Sequence, residues 1–209
     1  MWKKENAMKV FKSAIGAHIF AVLAVCLAMS ACSTQEPEPQ GVALSSQQLE
    51  NYTIAYDVAK DEGLSEKGTL NVIMAMAAES NGLNLANDGS HPGLKDDQDP
   101  EDISESIEHP QSDGVPSEYG YHHNGDYGSM GVLQQQFPWW GDVDDLMDVE
   151  VSVRAFINQM SRFDYENMPS GKAIQMVQRS YDPTGQNYEN KKQVAEEIIN
   201  IIEMEKASE

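Results

Sequence analysis

Residues 66–80, EKGTLNVIMAMAAES, constrain this chain more than any other stretch. Leu70, Ile73, Met74 and Ala77 follow the i, i+3, i+4, i+7 spacing of one helix face. The opposite face carries Val72, Ala75 and Met76, and then Glu79. A helix apolar on both sides has no face for water, so other helices must pack around it. Ser65 is the expected N-cap, and Asn81 with Gly82 makes the turn that ends the helix. Glu79 therefore lies in line with core residues. It is either a polar helix end reaching solvent, the fate of most glutamates, or an acid held partly out of water.

The segments that would surround this helix are also helical by pattern. Residues 47–62 read as an amphipathic helix with Leu49, Tyr52, Ile54, Tyr56 and Ala59 inward, Ser46 as N-cap and Gly63 as stop. Asp142 or Asp144 can cap a helix ahead of residues 149–162, which place Val149, Val153, Phe156, Ile157 and Met160 on one side. Ser170 can cap a helix over 171–181, broken by DPTGQNY. Residues 189–206 close the chain, with Val194, Ile198, Ile201 and Ile202 together. The expected class is mainly α, a single domain over 46–209. It carries a long acidic insert at 86–127, rich in Asp, Glu, Gly, Pro, Ser and His, which is functional, partly disordered, or both. PEDISESI offers a short helical turn there, and YGYHHNGDYGSMG a small β-hairpin or a binding loop.

The N-terminus has a different logic. Lys3, Lys4, Lys9 and Lys12 precede an apolar run that ends in MSAC at Cys32. This resembles a bacterial lipobox, with residues 1–31 as signal peptide and lipidation of Cys32; the alternatives are an ordinary signal peptide or an N-terminal anchor. Residues 32–45, rich in Ser, Pro, Gly and Gln, read as a flexible tether. The expected location is the outer face of the cell membrane, facing the wall, with the membrane as partner through lipidated Cys32. The only other cysteine is Cys26, so no disulfide framework and no free thiol nucleophile remain after cleavage. The chain has 14 basic and 34 acidic residues; without residues 1–31 the balance is 10 against 33, or −23. Such a surface repels nucleic acid, which is excluded as a partner. A monomer is expected.

Four short segments stand in order: AAESNGLNLAN, DYGSMGVLQQQ, WWG with LMDV, and GKAIQMVQRSYDPTGQNY. Together they resemble the lysozyme-like superfamily, on the side of lytic transglycosylases and goose-type lysozymes, and more closely an actinobacterial and phage branch of such domains. The resemblance spans about 47–202. It implies cleavage of the MurNAc–GlcNAc linkage of peptidoglycan glycan strands, with Glu79 as general acid. The physical reading agrees: burial and a helix C-terminus both raise a carboxyl pKa, keeping the acid protonated near neutral pH.

Asp126 is the candidate base that an inverting hydrolase needs; a transglycosylase, toward which the reading leans, needs none. The resemblance places Gln134 with the substrate and makes Ser80 and Ser129 the motif serines beside it; Trp140, Gln178 and Tyr181 are further substrate-contact candidates, with core packing as the alternative for Trp140 and for the helix that carries Gln178. Gly128 and Gly131 suit close approach of backbone to a sugar, Trp139 or Trp140 offers a flat face, and Gln135 or Gln136 is the solvated member of its run. Asp148 reads as structural, at a helix start. Two departures stand out: Val149 where the branch has Pro, and no Ala-Tyr-Asn motif. His91, His109, His122 and His123 lie among aspartates without paired ligand spacing, so no cofactor and no metal is expected, a structural Ca²⁺ in the acidic loop being the alternative. A non-catalytic wall-binding or assembly lipoprotein on the same fold is the rival function.

Overall fold

The computed structural model describes residues 41–120 and 126–208. The signal segment 1–31, Cys32, the tether to residue 40, and His122 with His123 lie outside the described residues. The protein is mainly helical: α1 Ser46–Asp61, α2 Glu66–Glu79, α3 Pro100–Ser104, α4 Val143–Met147, α5 Val149–Met160, α6 Ser170–Gln178, α7 Gln186–Glu189 and α8 Lys192–Lys206. No helix among the described residues is long and apolar enough to cross a membrane.

Helix α2 is central, packed against α1, α5, α6, α7 and α8. Its run Val72, Ile73, Met74, Ala75 and Met76 is fully buried, as a helix apolar on both faces requires. Ser65 caps it, accepting from Gly68 N at 3.1 Å. The cap of α1 falls one residue earlier than expected. Ser45, not Ser46, forms a reciprocal capping box with Gln48. The expected tether also ends sooner, because Val42 and Leu44 pack against the core and Val42 N donates to Glu197 Oε2 at 3.3 Å.

Three other expectations need correction. Ser170 opens α6 without capping it; Gly171 N instead donates to the Glu189 carboxylate at 2.7 Å. Helix α6 stops at Gln178, three residues early, where Arg179 turns left-handed and the Gln175 and Ser180 side chains pair at 2.8 Å. The last helix is two: α7 carries Glu189, and α8 starts at Lys192. Asp142 caps α4 and Asp148 caps α5, the latter accepting from Val151 N at 3.0 Å. Val149 is the first residue of α5, a position that proline also suits.

The part of the insert described here is ordered, with α3 followed by 3₁₀ turns at Glu105–Glu108 and Pro116–Tyr119. Ile103 joins Ala86, Met130, Leu146 and Met147 in a small second core. Asp113 pins the segment to the bundle: its carboxylate accepts from Asn84 N at 2.7 Å and Asn51 Nδ2 at 2.8 Å. Strands β1 Ser129–Met130 and β2 Gln135–Gln136 form an antiparallel hairpin in register Ser129 to Gln136. Leu85 bridges Gly114 on one side and Gly131 on the other, so the hairpin continues into the start of the insert.

Candidate functional site

Glu79 is the last residue of α2, and its side chain opens onto a cleft of about 1100 Å³. Burial pushes its carboxyl from the usual 4.5 up to about 7, while hydrogen bonds from Tyr188 and Gln178 pull partly back. The Tyr188 hydroxyl donates to Glu79 Oε1. Tyr188 is itself fully buried, and burial, followed by the Glu79 charge and hydrogen bond, holds its phenol well above the usual range. The result is a carboxyl that carries a proton much of the time at neutral pH, held by two donors and open on one side. Such a group can give a proton to a leaving oxygen in the cleft.

The hairpin loop is fastened to this acid from both sides. Ser80 Oγ donates to Val132 O, and Gln178 Nε2 donates to Leu133 O, each at 2.8 Å. Ser80 is 0 % exposed, so its expected place among the substrate contacts is corrected: it ties the acid-bearing helix end to the hairpin. Gln178 lines the cleft and touches the acid, as expected of a site residue. Ser129 and Gln134 also line the cleft, Gln134 with its amide donating to Gly131 O at 2.9 Å.

The two glycines of the hairpin allow a close approach of the protein to itself. A Cβ on Gly131, at φ +79°, would meet Leu146 O at 2.1 Å, and one on Gly128 would meet the Gln98 amide at 2.7 Å. Gln135, expected as a candidate for solvation, is buried and exchanges hydrogen bonds with Ser152.

Both tryptophans line the cleft, with different exposure. Trp140 is partly buried and packs against both cores. Trp139 is 47 % exposed at the cleft, its indole N–H donating to Asp97 at 3.0 Å and its ring 4.7 Å from the Lys95 ammonium. The insert therefore orients the exposed aromatic face. Tyr181 is 92 % exposed at the rim. Asp126 lines the same cleft with its side chain 63 % exposed and lies 3.2 Å from His91 Nε2. Among the described residues it is the one carboxylate besides Glu79 in the lining. No group of three or more His, Cys, Asp or Glu suited to a metal ion occurs among the described residues.

Tyr188 was absent from the expected site. It sits in QNYEN, after a turn, with no helical pattern to give it a face. Its position depends on a close crossing: a Cβ on Gly171 or Gly185 would meet the other's carbonyl oxygen at 2.3 and 2.2 Å. That contact brings the start of α7 against α6 and Tyr188 under Glu79. A pair of glycines flanking the α6–α7 segment was the available signal.

Backbone strain gathers here too. Of the non-glycine residues with positive φ, Tyr127, Gln134 and Arg179 line the cleft, and Asn81 lies two residues after Glu79. No protein-family model matches this chain, and no curated protein matches it.

Proposed function

We propose that this protein is a lysozyme-like enzyme that cuts the glycan strands of peptidoglycan, with Glu79 protonating the oxygen of the scissile MurNAc–GlcNAc bond. The observation that carries the reading is a buried helix-end glutamate with its pKa pushed up to about 7, opening into a cleft of about 1100 Å³. The ordered motifs of the sequence support it, because AAES supplies the acid and GSMGVLQ the hairpin bonded beside it. As the glycosidic bond breaks, the proton moves from Glu79 to the leaving oxygen and the ring acquires oxocarbenium character. The resulting carboxylate is stabilised by the Tyr188 hydroxyl and the Gln178 amide. Trp139 offers its exposed ring to a sugar face.

Export on a lipidated Cys32, with the domain facing the wall as a monomer, completes the proposal. The test is digestion of purified sacculi with the full-length protein in non-ionic detergent, beside Glu79→Gln, with products read by mass spectrometry. Soluble 1,6-anhydro-muropeptides identify a transglycosylase. Reducing ends that depend on Asp126 identify a hydrolase. Sacculi that bind the protein and release nothing would replace the enzyme with a wall-binding lipoprotein.

A further inference from the structure

The cleft holds an oddity for so acidic a protein: two arginines without a side-chain partner among the described residues. Most other basic side chains among the described residues are engaged. Arg154 lies between Glu62 and Glu150, Lys206 pairs with Asp57, Lys67 and Lys172 donate to carbonyl oxygens, and Lys60 and Lys95 sit over aromatic rings. Arg162 and Arg179 make no ion pair or side-chain hydrogen bond among the described residues, and both line the cleft into which the acid opens. Arg162 follows the last turn of α5 and Arg179 ends α6, two helices packed against each other, and both enter the lining that also holds Asp126 and Trp139.

Arg179 is also strained. Its φ of 54° and ψ of 37° are left-handed, at a helix-end position that glycine or asparagine fills without penalty. A long charged side chain at such a position, in the cleft lining and directly after the Gln178 that bonds the acid, points to use of the side chain. Guanidinium groups match carboxylates through paired N–H donors. A net charge of −23 outside the signal segment repels an extended polyanion, leaving a mostly neutral ligand with local carboxylates as the fitting partner.

We infer that Arg162 and Arg179 form a carboxylate-binding subsite that reads acidic substituents on the glycan, rather than the sugar rings alone. The inference rests on the glycan reading above. Two sources carry this chemistry: the carboxylates of the peptide stem, and the lactyl carboxylate freed when the stem is removed.

The experiment measures binding in the full-length protein carrying Glu79→Gln, so that no probe is cut. Arg162→Gln with Arg179→Asn is compared with Lys191→Gln plus Lys192→Gln, which removes equal charge outside the cleft. Asn is chosen because it accepts the left-handed backbone. The probes are sacculi with intact stems, the same glycan stripped by an amidase, and a chitin oligosaccharide, which has no carboxylate. The arginine pair should weaken binding to at least one carboxylate-bearing glycan about tenfold and flatten its salt dependence. Loss on intact sacculi alone assigns the stem, and loss on stripped glycan assigns the lactyl group. Unchanged binding to both, or an equal loss on the chitin oligosaccharide or in the lysine pair, would overturn the subsite. Cleavage by the protein with Glu79 intact is scored separately, so the subsite and the enzyme reading fail independently.

Discussion

The bundle around α2 and the insert beside it are built from different materials. The bundle buries Ile73, Met74, Phe156, Ile174 and Ile198, and its stability is apolar contact. The insert has a small apolar cluster and is held mostly by single polar side chains. Asp113 accepts two hydrogen bonds, Ser106 exchanges bonds with the Asn87 backbone, and the Gln98 amide donates to the Phe137 carbonyl at 2.6 Å. The cleft lies at the seam between them. The bundle supplies an acid whose pKa is set by burial; the insert supplies Asp126 and, through Asp97 and Lys95, orients Trp139 in the same lining. A rigid apolar frame suits the group whose protonation must be controlled. A polar, locally held segment can change its loops without disturbing that frame.

Four substitutions sharpen this contrast. Ile73→Ala should lower global stability by about 3–4 kcal/mol, read by denaturant unfolding, because the site is closed on all sides. The next effect is linked to pH. The folded protein holds the Glu79 proton more tightly than the unfolded chain, so stability is greatest below about pH 4.5 and is lost as pH rises to about 7. The change is about 3 kcal/mol. Glu79→Gln should remove that slope and leave the variant more stable than wild type at pH 8, measured by unfolding across pH. Asp113→Ala should cost about 2 kcal/mol, and hydrogen exchange should show the loss in residues 84–119 before the bundle. If the bundle loosens equally, the two regions are one cooperative unit and the comparison fails. Tyr188→Phe should cost about 1 kcal/mol and move the alkaline limb of activity to higher pH, since the lost donor favoured the Glu79 carboxylate.

This division also explains what the sequence disclosed. Helix α2, its cap at Ser65 and the position of Glu79 in line with core residues at its end follow from apolar periodicity, which burial enforces. Ser80 and Gln178 were legible as positions near the acid, although Ser80 proved to be a fastener. Trp139 and Trp140 are adjacent and chemically equal; only packing against Leu146 and its neighbours distinguishes the partly buried one. Tyr188 and the arginine side of the cleft were hidden because long-range contacts place them: the Gly171–Gly185 crossing and the early stop of α6 at Arg179. Periodicity carries no record of such contacts.

The central claim is that Glu79 works as a buried acid on a glycan. The most direct measurement is the rate of soluble glycan release from sacculi between pH 4 and 9 by wild type and Glu79→Gln. The account predicts wild-type release that declines as pH rises through about 7 and a variant slowed on the order of 10²–10⁴-fold while it still binds sacculi. Release by Glu79→Gln at the wild-type rate, or a wild-type rate that does not change across pH 7, would contradict it.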